Sequence, residues 1–475
     1  MPKQPTCKST MNKKTVSPIK TGSFERRLSL TKTGLMVGTK MAGHMTSSLF
    51  SSKEKRAEKR KKALSEQARF LVAELGKLKG SVVKIGQVMA LYGEHFLPPE
   101  VTEALHTLEE NTLPLDWSII KETLANELGE AKLNALEIEH TPIGTASLGQ
   151  VHKAKIKATG EIICLKVQYP GVAQAIDSDL NAVAQLLKLA RIVSFGPAFD
   201  DWLEEVRVMM HREVNYKLEA ETTAHFSHML ENDSRFIVPS VYFEYSSATV
   251  LATSFESGEN VSSSLVKNLS QERRNNLAKA ALSLFLEELF VWHEIQTDPN
   301  FGNYRIRISE VDNADKIVLL DFGAVQKYPE KFINPVCAMI LASYNEDISG
   351  VIQGGIKLHF MKADWPRSVL EEFANVCIAV LEPLAQNKPL AGPEAFNAEG
   401  EYCWKKSNLP TRIARRAAMS AISRYFKVPP KEFVFLNRKL VGVYTFISVL
   451  DGQFNGDGIL QPYLTRFQDR TKNLP

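Results

Sequence analysis

Three polar signatures in one chain order constrain this chain of 475 residues more than any other feature. The first is Lys166 inside the alternating apolar run "IICLKV", and the second is Asp298 and Asn303 in "TDPNFGN". The third is Asp321-Phe322-Gly323, which follows the apolar run Ile317 to Leu320. A lysine amid strand apolars is either an outward-facing residue or a buried charge with a partner. Asp298 and Asn303 are spaced D-x-x-x-x-N, so that a carboxylate can face an acceptor while a carboxamide faces a metal. Gly323 lets the chain turn after its strand, aiming the Asp321 carboxylate at a hard divalent cation. D-F-G alone says little, but a strand lysine, D-x-x-x-x-N and strand-D-F-G in sequence are not jointly explained by a solvated lysine and two turns.

Together the signatures point to a kinase-like ATP site, in which the lysine neutralises phosphate oxygens and the asparagine and second aspartate bind Mg²⁺. Composition is compatible with this: 44% hydrophobic and 24% charged residues describe a globular chain long enough for two or three domains. No run approaches the roughly twenty apolar residues of a membrane span, and the apolar stretch near the start lacks the compact core of a secretory signal. Neither a span nor export is expected. Five cysteines (Cys7, Cys164, Cys337, Cys377 and Cys403) are scattered, odd in number and without C-x-x-C spacing, which fits a reducing compartment.

The net charge of +4 conceals an asymmetry, because residues 1–62 hold 16 Lys/Arg against 3 Asp/Glu while the remainder holds 42 against 51. "KEKRAEKRKK", Lys53 to Lys62, reads as the solvated face of a helix or as a surface for anionic headgroups or nucleic acid. Just upstream, "LTKTGLMVGTKMAGHMTSSLF" has the mixture of an interfacial helix. Residues 1–22 read as a flexible tail or, more weakly, as an organelle transit peptide. From about Ser52 the pattern turns helical, with Leu64, Ala68, Leu71, Leu75 and Leu78 forming one stripe. A second helix begins at Gly80 and is stopped by Pro98-Pro99, and a third follows with Asp116 as its N-cap. After Glu139 two alternating runs flank "ATGE" as in an antiparallel hairpin. "NNLAKAALSLFLEELFVWHEI" predicts a buried helix delivering Asp298, and "LNRKLVGVYTFISVL" a core helix. Beyond about residue 330 no chemistry is legible.

One stretch resists the local reading. "GSVVKIGQVMALYGEHFLPPEV" places Lys84, Gly86 and Gln87 in a core-seeking helix, which is either a wet helix face or part of a site. With Lys84-Ile85-Gly86-Gln87 matching K-x-G-Q beside the three signatures, the chain resembles the UbiB (AarF-type, or ADCK-type) family of atypical kinase-like proteins, in particular its mitochondrial-type coenzyme Q branch. The resemblance runs from about Ser23 to near the end and implies an α+β, two-lobed protein-kinase-like fold. Its implied parts are a tail (1–22), a helical extension with K-x-G-Q (23–138) folded over the nucleotide cleft, a small lobe (139–256) and a mainly helical large lobe (257–475). Protein substrates would be shut out.

The resemblance also assigns roles. The family's alanine-rich loop reads Pro142-Ile143-Gly144-Thr145-Ala146-Ser147-Leu148-Gly149-Gln150-Val151 here, with Gly144 and Thr145 in place of two alanines. Gly144, Thr145, Ala146, Ser147 and Lys166 would meet ATP, with Glu219 holding Lys166 as the helix C glutamate does in kinases, and Glu256 at the hinge in "TSFESGEN". Asp298 would be catalytic with Lys166, and Asn303 and Asp321 would bind Mg²⁺. Glu213 matches the first acid of the family's E-x-D motif, with Asn215 where the Asp belongs, and is expected to face Lys84 across the cleft. The usual His-Arg before the catalytic aspartate is Gln296-Thr297.

The function implied is that of an ATPase or small-molecule kinase supporting ubiquinone synthesis at a membrane surface; the alternative is a nucleotide-binding pseudokinase that organises or delivers other components. The cofactor is Mg²⁺ with ATP or ADP. Expected partners are ATP, an anionic membrane surface and quinone-precursor lipids or biosynthetic enzymes; no nucleic acid is expected, and a homodimer is left open. The expected location is intracellular, cytoplasmic or peripheral on the inner membrane, on the matrix side in a eukaryote.

Overall fold

The computed structural model describes residues 81–92, 97–106, 114–146, 148–189, 196–298, 300–311, 314–386, 391–419 and 431–472, with isolated positions in 62–72 and at 425. Most of the expected helix from Ser52 to Leu78, the tail, the basic run up to Lys61, and Ser147 lie outside the described residues. The chain divides into two compact units. One takes the described residues up to Ala220 with Val241–Phe255, and the other takes Glu221–Ser240 with the described residues from Glu256 onward. The passage from Phe255 to Glu256 falls within "TSFESGEN".

In the first unit, helix α1 spans Ser81–Tyr92 and buries Val82, Ile85 and Met89. Its first residue is tied down, since the Ser81 hydroxyl donates to the buried Asp179 carboxylate. The helix is described as far as Tyr92, and at Leu97 and Pro98 the chain is no longer helical. Pro99 instead opens α2 (Pro99–His106), where a missing N–H and a fixed φ suit the first helical position. Helix α3 (Trp117–Leu128) starts at the expected cap, Asp116 accepting from the Ser118 N–H at 2.9 Å. It buries Ile120, Leu124 and Leu128 at steps of four and stops at Gly129, whose φ of 79° is ordinary only for glycine. A short helix, α4 (Glu130–Asn134), leads into the sheet.

Strands β1 (Leu136–Ile138), β2 (Gly144–Thr145), β3 (Gly149–Ile156), β4 (Ile162–Gln168) and β6 (Val250–Ser254) form an antiparallel sheet ordered β1-β3-β4-β6, with β2 added on β3. The hairpin β3–β4 is the one read from the alternation, and Val151 stands opposite Lys166. Helices α5 (Val172–Leu189) and α6 (Pro197–Glu213) complete the unit. Apolar residues of α1, α3, the sheet, α5 and α6 share one core, which includes Ile85, Leu124, Leu165, Ile176 and Trp202. Helix α7 (Tyr216–Met229) begins in this unit.

In the second unit, β5 (Phe236–Ile237), β9 (Lys316–Leu319) and β8 (Tyr304–Arg307) form one sheet, and β7 (Glu294–Gln296) pairs with β10 (Val325–Lys327) in another. Helix α8 (Gln271–Glu287) passes into a π-turn, Glu288–Trp292, that ends at left-handed His293 and delivers the chain into β7. Helices α9 (Glu330–Tyr344), α10 (Ile348–Lys357), α11 (Arg367–Val380), α12 (Leu409–Met419), α13 (Lys431–Val449) and α14 (Asp457–Lys472) follow. The expected core helix is α13, with Phe446 and Ile447 buried. Among the described residues no helix is long and apolar enough to cross a membrane.

Candidate functional site

Strand alternation decides where Lys166 goes. Ile163, Leu165 and Val167 fill the core face, so Lys166 leaves β4 on the other face. There its Nζ meets Glu219 Oε1 at 2.6 Å and Oε2 at 2.9 Å. Glu219 is buried, so the ammonium compensates a charge that burial alone would penalise. The Tyr216 ring lies 4.9 Å from the same ammonium. Asn215 starts α7: its Oδ1 accepts from the Leu218 N–H at 3.1 Å, which a carboxylate would also do. Glu219 thereby occupies the first turn, where the positive end of the helix favours an acid. Gly149 has no room for a side chain, because a Cβ there would lie 2.5 Å from the Val167 carbonyl oxygen and 2.9 Å from Tyr216 Oη.

The loop before β3 is short. Gly144 and Thr145 pair with Val151 and Gln150, and Ala146 N–H donates to the Gly149 carbonyl at 2.8 Å. Gln150 is buried and binds backward: its Oε1 accepts from Leu115 N–H at 2.8 Å and its Nε2 lies 2.8 Å from His152 Nε2. His152 Nδ1 sits 2.8 Å from the Glu139 carbonyl, so Nδ1 carries the proton and Nε2 accepts from the amide. Burial depresses the His152 pKa, the Glu139 carbonyl opposes this, and His140 adds to the depression.

Lys84 Nζ lies 2.9 Å from Glu213 Oε1, with Ile85 and Gly86 buried beneath and Gln87 half-buried. The expected contact is present, but both residues belong to the first unit: it ties α1 to the end of α6.

The second unit holds the other signatures. Asp298 Oδ2 accepts from Asn303 Nδ2 at 2.9 Å, and its Oδ1 accepts from Arg438 Nη2 at 3.1 Å. Asn303 is fixed further by its carbonyl, which accepts from Leu320 N–H at 2.9 Å and so brings it beside Asp321. Asp321 Oδ1 accepts from Gly323 N–H at 2.9 Å, closing the turn. Asn303 and Asp321 line one small cavity with Glu288, Gln296, Tyr304 and Lys439. Because the Asn303 amide nitrogen is spent on Asp298, its oxygen is the atom left to coordinate, and with the Asp321 carboxylate in the same cavity it would offer hard oxygen donors of the kind Mg²⁺ takes. Glu256 pairs with Arg307 at 2.7 Å.

Arg438, Lys439, Glu288 and Tyr304 were not legible as site residues. Lys439 Nζ lies 2.9 Å from Glu288 Oε2, and both are almost wholly buried. Burial pushes the Glu288 carboxyl up and Lys439 opposes it; burial likewise works against the Lys439 ammonium, yet Glu288 and Tyr304 hold its pKa above the usual range. The available signal was "NRKLVG": two adjacent cations in an apolar helix, the same anomaly that marks Lys84.

The sequence profile of the ABC1 atypical kinase-like domain matches residues 107–354. The probable serine/threonine-protein kinase abkA of Dictyostelium discoideum is 30% identical over 427 residues, covering 85% of this chain and 72% of that protein. The mitochondrial atypical kinase COQ8B of Danio rerio is 30% identical, covering 82% of this chain and 60% of its own length. For the mitochondrial atypical kinase COQ8 of Schizosaccharomyces pombe the values are 27%, 84% and 63%. This chain thus spans less than two thirds of those two relatives. Among solved structures, the Rv3197–erythromycin complex from Mycobacterium tuberculosis shares the fold, with a TM-score of 0.58 and 22% identity over 86% of this chain and 98% of that one. With its signature residues in the order and pairing described, the chain belongs to the ABC1 atypical kinase-like family.

Proposed function

We propose that the protein binds Mg-ATP and acts as an ATPase or small-molecule kinase that supports ubiquinone synthesis at a membrane surface, in mitochondria as the names of its COQ8 relatives suggest. The observation that carries the reading is the two-oxygen contact of Lys166 with Glu219 at 2.6 and 2.9 Å. A buried carboxylate aims the ammonium that would neutralise α- and β-phosphate oxygens. Asn303 and Asp321 would hold Mg²⁺, which when bound neutralises the transferring phosphoryl group. Asp298 would orient the nucleophile. Gly144, Thr145, Ala146 and Ser147 would border the phosphates, with Glu256 contributing at the nucleotide's other end. Lys84, Gly86, Gln87 and Glu213 would restrict the acceptor.

The test is ATP turnover by purified protein, with and without anionic liposomes and phenolic quinone-precursor mimics. Asp321→Asn should abolish the Mg²⁺-dependent thermal stabilisation by ADP, which at a hundredfold excess over Kd amounts to about 2.7 kcal/mol, while the apo protein keeps its melting temperature. An equal nucleotide shift in wild type and variant would remove the metal assignment. A second reading, a nucleotide-binding scaffold without an acceptor, is favoured by the engagement of both Asp298 oxygens by Asn303 and Arg438. Wild type that binds Mg-ADP but shows no turnover under any of these conditions would select it.

A further inference from the structure

We infer that Lys439, Glu288, Tyr304 and Gln296 form a buried positioning chain for Asp321, so that the carboxylate meant for Mg²⁺ is set from α13, a helix more than a hundred residues further along. The inference rests on the Mg-ATP reading and deepens it. Its starting point is the loop position where kinases carry His-Arg, occupied here by Gln296-Thr297. These two side chains bracket the D-F-G turn. Gln296 Nε2 donates to the Asp321 carbonyl at 3.3 Å, and Thr297 Oγ1 donates to the Ala324 carbonyl at 2.7 Å, with the Thr297 N–H on the same oxygen at 3.0 Å. The peptides at both ends of the turn are therefore held by the segment that leads into Asp298.

Gln296 is itself held at two points. Its backbone N–H donates to Glu288 Oε1 at 3.3 Å, and its Oε1 lies 3.4 Å from the Tyr304 hydroxyl. Tyr304 and Lys439 line the same small cavity, beside the Lys439–Glu288 pair. The Tyr304 O–H donates to Gln296 Oε1. That fixes the amide, whose NH₂ end then faces Asp321. The protons along Tyr304, Gln296 and the Asp321 carbonyl point the same way. Glu288, on the other oxygen of which Lys439 sits, closes the loop at the Gln296 backbone. The π-turn is what brings Glu288 here: it opens α8 at its last turn, a distortion that re-aims side chains near functional sites. Gln296 and Glu288 are buried, so neither amide nor carboxylate can exchange these partners for water without loss.

A buried ion pair can also serve packing alone, and the two roles separate experimentally. Tyr304→Phe removes one hydroxyl while leaving the Lys439–Glu288 pair and the ring's contact with Phe446 at 5.5 Å between centroids. The readout is thermal stabilisation by ADP as Mg²⁺ is titrated, beside ADP in EDTA and protein alone. Loss of a partner behind a metal ligand typically weakens metal affinity about 10–100-fold, and Tyr304→Phe should move the Mg²⁺ midpoint upward within that range. The apo melting temperature should fall only by what one lost buried hydrogen bond costs, and the shift that ADP in EDTA produces from each apo value should stay as in wild type. Gln296→Leu should move the midpoint at least as far, whereas Gln296→His, which keeps a donor for the Asp321 carbonyl, should restore it. This pair carries the test if Tyr304→Phe does not fold. Unmoved midpoints in both Tyr304→Phe and Gln296→Leu, or a lower apo melting temperature with the wild-type midpoint, would overturn the positioning role and leave the Mg-ATP reading standing. No Mg²⁺-dependent shift in wild type would overturn both.

Discussion

Lys84 and Glu213 show how exposure, more than contact, sets what a residue pair is worth. Their side chains lie 2.9 Å apart, at 20% and 34% exposure. Water reaches both ends, so this is nearer to a surface ion pair than to a buried one. A double-mutant cycle of Lys84→Ala and Glu213→Ala, read by chemical denaturation, should return a coupling of about 0.5–1 kcal/mol that shrinks in high salt. A coupling of zero would make the pair a coincidence of packing, and one of several kcal/mol would mean the site is drier than its exposure indicates. Asn215 teaches the converse. It departs from the acid expected at that position, yet a carboxamide oxygen caps α7 as a carboxylate would, and Glu219 still reaches Lys166. The change of residue alters charge near the site without altering the helix start.

Among the elements, the link from the alanine-rich loop to the helices that precede it runs through one neutral imidazole. His152 accepts from Gln150, and Gln150 accepts from the backbone before α3, so an added proton at His152 Nε2 leaves two donors facing each other. Its folded pKa lies below the ordinary 6.5 because burial disfavours the charged ring. The unfolded chain therefore takes up the proton first as pH falls. The contribution is complete above about pH 6.5 and is lost as pH drops below it, at a slope of up to about 1.4 kcal/mol per unit. Thermal melts from pH 7.5 to 5 should show wild type losing more stability than His152→Leu, which starts lower but has no proton to gain. Parallel curves would assign the acid sensitivity elsewhere.

At the scale of the whole molecule, charge is divided unequally along the chain. Residues 1–62 carry 16 basic and 3 acidic side chains, and the remainder is net acidic. Basic residues close to an anionic bilayer contribute about 1 kcal/mol each. Deleting residues 1–62 should release the protein from cardiolipin-containing liposomes in a sedimentation assay, and added salt should do the same to the full chain. Undiminished binding by the shortened chain would place the membrane surface elsewhere. The repulsive acidic remainder makes that outcome a clear one.

What the sequence by itself determined was whatever is set over short distances: the capped start of α3, the β3–β4 hairpin, the face of β4 from which Lys166 leaves, and the spacing from Asp298 to Asn303. Caps, alternation and loop spacing act within a few residues, so they can be read without the fold. The signatures also carried the resemblance to the family, which the matching domain profile then showed. Only the tertiary structure decided the partners. Arg438 meets Asp298 across 140 residues of chain, and Lys439 meets Glu288 from the same helix. A buried charge announces that it must be compensated, but burial does not say by which group. That choice is made when α13 packs on the end of α8, and it turns a stretch that read as core into the support of the proposed metal site.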